Sequence, residues 1–362
     1  MKNALYIGTV SGIKIFIHWT FLILIGWIVF SNLNRGLGGE EILWSVLFIL
    51  TIFACVTLHE LGHALAAKRF RIKTRDITLL PIGGVAQMES IPEKPKEELI
   101  VAVAGPAVNF VIFIVLFFVL PRPDTSEVEQ IQNIGPGNFM YALMIVNMWL
   151  ALFNLIPAFP MDGGRVFRAM LAFRMDRVRA TRIAAGLGQL LAMGFIFLGL
   201  FYNPFLVFIG LFIFVGAQAE AQQTQATSLL HGYTVRDALL EEIPGIEADA
   251  TIRHAANQLL HSQNKYFVVN NAGQPEGTLG RDEIIKAIGE MDDQASVRLA
   301  MRKGVMYLSP TMPIEEAWKM MQQQNQPFAL VTSKGEVLGA LDTDNIAEFV
   351  MIRSAEQSKK GM

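Results

Sequence analysis

Long apolar runs alternate with short polar connections over the first 220 residues or so of the chain. Residues 15–33 carry no charge and two tryptophans, and residues 42–58 continue in helical periodicity through His59 to residue 67. Residues 99–120 and 140–156 follow, and residues 183–219 hold no charged side chain. A helix needs about 20 apolar residues to cross a bilayer core. The last run is nearly twice that and is broken at Tyr202-Asn203-Pro204, because proline cannot continue a helix and Asn-Pro favours a turn. The pattern therefore predicts six transmembrane helices with both termini on one side. Between the second and third runs, residues 72–88 have the composition of short strands around Pro81-Ile82-Gly83-Gly84-Val85, where glycines permit a bend or a close backbone approach. From residue 234 the pattern changes: 234–288 and 297–351 each read as helix, strand, glycine turn, strand, helix.

Charge follows the same division. Of the 62 charged residues, 31 fall in residues 1–230 and 31 in the last 132, so the first part is charge-poor and the tail resembles an ordinary acidic soluble domain. That split excludes a wholly soluble protein, a disordered chain and a nucleic-acid binder driven by bulk charge. Cys55, the single cysteine, excludes a disulfide framework and a cysteine-rich metal site. No cleavable signal peptide is expected, since the first apolar run comes late, is too long and lacks a small-residue cleavage site. Lys68, Arg69, Arg71, Lys73, Arg75, Lys94 and Lys96 follow the second run; Arg165, Arg168, Arg174, Arg177, Arg179 and Arg182 follow the fourth. The opposite loops offer Arg35 and Arg122, with Asp124, Glu127 and Glu129 beside the latter. The positive-inside rule then places both basic loops, both termini and the tail in the cytoplasm of a multi-pass membrane protein; a prokaryotic cell membrane is the expected location.

Candidate chemistry sits at the cytoplasmic end of the second run. In His59-Glu60-Leu61-Gly62-His63, residues i and i+4 of one helix can bind one zinc ion, and Glu60 can act as general base on the attacking water. Two histidines and a glutamate in a lipid-compatible run are costly unless they face the protein interior and have partners. A catalytic zinc takes three protein ligands and keeps one open position. His18, near the start of the first run, is one candidate for the third ligand. Asp162, at the end of the fourth, is better placed; its alternative role is an N-cap for the following helix. Cys55 lies one turn before His59 and reads as a small packing residue. Asn109 reads as a polar helix-to-helix contact.

These residues together resemble the site-2 protease family of intramembrane zinc metalloproteases. The resemblance rests on His59-Glu60-x-x-His63, on Asn154…Pro157…Pro160-x-Asp162-Gly163, on Pro81-Ile82-Gly83-Gly84 and on Ala104-Gly105-Pro106-x-x-Asn109, in the expected order. The Pro157-x-x-Pro160 spacing is wider than the family's pattern. The tail resembles a pair of CBS repeats, as in the six-span branch. The resemblance implies a polytopic α-helical membrane protein with six transmembrane helices and a small β re-entrant loop, plus a C-terminal α/β CBS-pair domain. It divides the chain into a membrane metalloprotease domain at 1–228 and a cytoplasmic tandem CBS domain at 229–355, with repeats at about 233–290 and 296–352. One Zn2+ per chain is implied, held by His59, His63 and Asp162, with Glu60 as catalytic base and acid. Asn154, and with it Gly83, Gly84 and Asn109, is implied to hold the substrate or the oxyanion.

The expected activity is cleavage of a transmembrane segment in a membrane-anchored protein or peptide substrate. The rival from another class is a CBS-regulated membrane metal transporter or metal-sensing binding protein. Expected partners are the substrate, the lipid bilayer and a second copy through the CBS pair, with no nucleic acid. Nucleotide binding tighter than about millimolar is not expected, with one weak adenosine-like site left open where Glu283 could reach a ribose. CBS units that bind adenine nucleotides follow the second-strand glycine with Thr/Ser three residues on and Asp six residues on. Counting from Gly277 gives Gly280 and Glu283, and from Gly339 gives Asp342 and Asn345.

Overall fold

The computed structural model describes residues 4–81, 83–88, 92, 94–121, 134–262 and 264–360. The chain divides into two compact units, Met1–Thr224 and Gln225–Met362. The expected loop charges Arg122, Asp124, Glu127 and Glu129, and Ile82 of the glycine turn, lie outside the described residues.

In the first unit, strands β1 (Ala4–Val10) and β2 (Ile13–His18) precede helices α1 (Thr20–Asn34) and α2 (Gly39–Arg69). Strands β3 (Thr74–Leu80) and β4 (Gly83–Met88) follow, then α3 (Pro95–Val119), α4 (Phe139–Asn154), α5 (Asp162–Ala172), α6 (Arg177–Phe201) and α7 (Pro204–Leu230). Four of these helices, α2, α3, α6 and α7, are long and apolar enough to cross a membrane. The apolar helices α1 and α4 have 15 and 16 residues. At 1.5 Å per residue they measure about 22 and 24 Å, short of a hydrocarbon core of about 30 Å. The break at Tyr202-Asn203-Pro204 separates α6 from α7, and Asn203 Oδ1 accepts the Phe205 N–H at 3.0 Å.

The first apolar run differs from expectation. Residues 15–18 belong to β2, not to a helix. Ile13 and Ile15 are buried while Lys14 between them is exposed, the two-residue period of a strand with β-branched side chains facing a core. The sheet order is β1-β2-β3-β4, with β2 parallel to β3 and the other pairs antiparallel. The strand pair in residues 72–88 is thus half of a larger sheet. Its inner face packs on α1 and α2 in a core of Ile13, Phe21, Phe53, Leu61, Ala64, Ile77 and Leu79. That contact fixes β4 against the last turns of α2, and β4 forms an edge of the sheet.

Helix α2 measures about 46 Å by the same rise, and opposite charges suit its two ends. Glu40 and Glu41 lie in the first turn and Lys68 and Arg69 in the last, complementing the helix dipole.

The second unit holds two matching halves. Strands β5 (Gly245–Glu247), β6 (Tyr266–Asn271), β7 (Gln274–Gly280) and β8 (Arg302–Lys303) form one sheet with helices α8 (Ile252–His261) and α9 (Arg281–Glu290). Strands β9 (Met306–Leu308), β10 (Phe328–Ser333) and β11 (Glu336–Asp342) form the other with α10 (Ile314–Gln323) and α11 (Thr343–Lys360). Both hairpins turn through two positive-φ residues, Ala272-Gly273 and Lys334-Gly335. Val268, Phe328, Leu330 and Ala340 pack between the sheets and join the halves.

Candidate metal centre

Helix α2 presents His59 and His63 one turn apart, both buried, with ring planes at 82° and centroids 4.8 Å apart. Each imidazole is fixed from behind. His59 Nδ1–H donates to Asn109 Oδ1 at 2.6 Å, Asn109 Nδ2 donates to Asn147 Oδ1 at 2.9 Å, and Asn147 Nδ2 donates to the Leu143 carbonyl at 2.9 Å. His63 Nδ1–H donates to the Val101 carbonyl at 2.7 Å. Every donor in these chains points away from the histidines, so both Nε2 atoms carry their lone pairs forward. Such partners behind metal-binding imidazoles set the tautomer and the ring orientation.

The third group arrives from a different element. Helix α4 ends at Asn154, and the buried residues Ala158, Phe159 and Met161 anchor the connection to α5. Met161 occupies the N-cap position of α5, so Asp162 opens the helix and does not cap it. Its Oδ2 lies 3.2 Å from His59 Nε2 and 3.0 Å from His63 Nε2, and the two Nε2 atoms are 3.1 Å apart. Ligands about 2.0–2.1 Å from a tetrahedral zinc lie about 3.3 Å from one another. The triangle of donors matches that edge to a few tenths of an ångström. These three residues are the one group of three or more His, Cys, Asp or Glu able to hold a metal ion among the described residues.

Glycines create the space. A Cβ on Gly105, in the middle of α3, would collide with both imidazoles. A Cβ on Gly84 would stand 2.7 Å from Glu60 Cγ, so β4 lies against the glutamate that separates the two histidines in sequence. Gly84 and its neighbour Gly83, where the strand starts at φ +137, form the strand floor beside the site.

Other candidates are not among the three donors. His18 ends β2, and its Nδ1 is 2.8 Å from Thr20 Oγ1 at the start of α1. Asn154 donates to the Leu150 carbonyl one turn earlier at 2.8 Å. Asn109 orients His59. Cys55 is buried, 3.5 Å from Asn147 Nδ2. Asn147 escaped the sequence reading although it had a signal: it is the one amide or charged residue between Phe139 and Phe153, in an apolar run where a polar group needs a partner. In the second unit, Glu283 accepts from Arg302 Nε at 2.6 Å and from the Gly280 N–H at 3.1 Å, and Asp342 accepts the Asn345 N–H at 2.7 Å. Both carboxylates are engaged at helix starts.

The sequence profile of peptidase family M50 matches residues 47–127 and 122–201, and that of the CBS domain matches 235–290 and 295–352. Zinc metalloprotease MJ0392 of Methanocaldococcus jannaschii is 34% identical over 99% of this chain and 100% of its own length. Stage IV sporulation protein FB of Bacillus subtilis is 23% identical over 66% of this chain and 83% of its own. The solved site-2 protease from Methanocaldococcus jannaschii is 35% identical, covers 60% of this chain and 95% of its own, and superposes with a TM-score of 0.45. Full-length similarity to a zinc metalloprotease, with a donor set that fits zinc, identifies the chain as a membrane zinc metalloendopeptidase with C-terminal CBS domains, a member of peptidase family M50, the site-2 proteases.

Proposed function

We propose that the enzyme works inside the bilayer, cutting a transmembrane segment of a membrane-anchored protein or peptide. The observation that carries this reading is the convergence of His59 Nε2, His63 Nε2 and Asp162 Oδ2 within 3.0–3.2 Å of one another, with both histidines and Glu60 on a helix long and apolar enough to span. The donors meet at a single point and do not line a path, which favours catalysis over metal transport. His59, His63 and Asp162 would hold a zinc ion, which when bound would supply Lewis-acid polarisation of the scissile carbonyl and a more acidic water.

The chain's own residues do the remainder. Glu60 takes a proton from the water whose oxygen attacks the carbonyl carbon, and returns it to the amide nitrogen as the C–N bond breaks, leaving an amine and a carboxylic acid, whose remaining proton passes to the amine or to solvent. Asn109 and the Val101 carbonyl keep the imidazoles aimed while charge develops. The substrate must lose its helical hydrogen bonds before its peptide bond is reachable. The edge of β4, with Gly83 and Gly84 beside Glu60, supplies replacement partners by strand addition, which matters where lipid offers none. We assign Asn154, at the end of α4, to the peptide or the oxyanion, for which its amide would leave the Leu150 carbonyl.

The membrane domain of this reading is residues 1–228, with the short α1 and α4 completing six spans where the bilayer thins to match them, and the tandem CBS domain is 229–355, through which two copies pair. Both termini and the tail are cytoplasmic, on the side of Lys68, Arg69 and Arg71. The deciding experiment uses full-length protein in liposomes with a single-span reporter, with and without a zinc chelator. Chelator-sensitive release of two fragments cut within the span is expected. Zinc-loaded protein that leaves every reporter intact, or cuts only outside the span, refutes the reading.

A further inference from the structure

Arg168, on the second turn of α5, is fully buried without a role in the metal chemistry. Its Nε and Nη2 donate to Glu98 Oε1 on α3 at 2.8 and 2.5 Å, and its Nη1 donates to Glu220 Oε1 on α7 at 2.5 Å. Arg177 Nη2 stands 3.6 Å from the same Glu98 oxygen. The guanidinium carbon lies 4.9 Å from the centre of the Phe159 ring, itself buried in the connection before α5. One side chain thus grips the residues on both flanks of Asp162: Phe159 three positions before it and the body of α5 six positions after it.

Stability does not account for this cluster. A buried ion pair recovers little more than its desolvation cost, and well-packed apolar residues of the same volume hold a fold as well. A guanidinium offers what an apolar contact lacks, a planar fork with fixed donor directions. Direction is what the site needs. Two of its donors share α2, a 31-residue helix, and their orienting partners Val101 and Asn109 sit on α3. The third sits at the first residue of an 11-residue helix whose N-cap makes no side-chain hydrogen bond. Metal–ligand distances in well-formed sites fall within about 0.2 Å of their usual values. Glu98 lies one turn before Val101 on α3, so the Arg168–Glu98 fork ties the segment carrying Asp162 to the helix that orients both histidines.

We propose that Arg168 is the positioning residue for Asp162, holding its carboxylate at coordination distance through Glu98, Glu220 and Phe159; this rests on the reading of Asp162 as the third zinc ligand. The test uses full-length protein loaded with Co2+, whose visible d–d absorption reports donor number and geometry, together with Co2+ affinity by chelator competition. Asp162→Ala provides the spectrum of the site without its carboxylate. The charge-neutral double variant Arg168→Gln/Glu98→Gln is expected to fold, to shift the spectrum toward that of Asp162→Ala and to weaken Co2+ binding about 10–100-fold. Arg168→Lys keeps the charge without the fork and is expected between the double variant and wild type. Phe48→Ala, a cavity in the separate core around Phe139, controls for lost stability and is expected to keep the wild-type spectrum. A wild-type spectrum and affinity in both Arg168 variants, beside an altered Asp162→Ala, overturns the role of Arg168 alone. Unchanged binding in Asp162→Ala overturns the ligand assignment and this proposal with it.

Discussion

Replacing Gly105 by alanine places a methyl group where the metal belongs. The added Cβ would stand 2.2 Å from His63 Nε2, 2.5 Å from His63 Cε1 and 2.7 Å from His59 Nε2, against an ordinary contact of 3.4–4 Å. Each ring must retreat by about 1 Å, several times the 0.2 Å within which metal–ligand distances fall. Neither ring is free to do so, because Asn109 at 2.6 Å and the Val101 carbonyl at 2.7 Å hold both Nδ1 atoms from behind. The fold absorbs the change: overpacking costs about 1–3 kcal/mol, and alanine returns up to about 1 kcal/mol of helix propensity. Zinc affinity is expected to fall at least about 100-fold, the upper range for disturbing a ligand's support, or about 2.8 kcal/mol at 1.4 kcal/mol per decade. Chelator competition on purified protein measures the affinity, and reporter cleavage should fall with it. Gly186→Ala on α6, where a Cβ meets nothing within 4 Å, is the matched control. Wild-type zinc affinity in Gly105→Ala would show that the metal does not lie between these imidazoles.

Four further outcomes are expected. Glu60→Gln should abolish cleavage and retain zinc, as metal analysis beside a reporter assay will show; zinc loss equal to that of His59→Ala would make Glu60 a ligand. Asp162→Ala should lower zinc occupancy and activity together while His18→Ala keeps most of the zinc, and the reverse pattern would exchange their roles. Calorimetry of the full chain should give ATP, ADP and AMP affinities no tighter than about millimolar, or about 4 kcal/mol, since Glu283 and Asp342 are already occupied at helix starts; micromolar binding of any of them contradicts this. Burial pushes the Asp342 carboxyl above its ordinary value, against the opposing Asn345 N–H and with the negative Asp344 adding to it. A raised carboxyl binds more protons folded than unfolded, so its stabilising contribution is complete below the ordinary carboxylate range and is lost as pH rises through the raised value. Asp342→Asn should therefore melt higher than wild type near neutral pH, with the difference vanishing below about pH 4; a constant difference removes the titration from the explanation.

Motifs made up of local spacing were legible in the chain. His59 and His63 share a helix face by i,i+4 geometry, the Asn203-Pro204 break ends a helix, and the two hairpins of the tail repeat a visible pattern. Positions defined by distant partners were not. Arg168 entered the charge pattern as one more basic loop residue, although it is buried between Glu98 and Glu220, residues 70 and 52 positions away. Residues 15–18 continue an apolar run without interruption, and what makes them a strand is the pairing of β2 with β3, some 60 residues on. Asn109 read as a generic interhelical contact, and only its 2.6 Å bond to His59 shows which contact it makes. The backbone carbonyl of Val101 carries no side-chain signal at all.

The contact between Gly84 and Glu60 bears on where the proposed cut falls. A peptide laid along β4 would be held by main-chain groups that recur every second residue, about 6.8 Å along a strand. The strand and the glutamate touch without an intervening side chain, so that ruler and blade keep one fixed offset. A substrate slipping by one residue would present the wrong face and lose its bonds, whereas a slip of two restores them. Imprecise processing by this enzyme would then yield a ladder of termini spaced by two residues, with the odd positions missing.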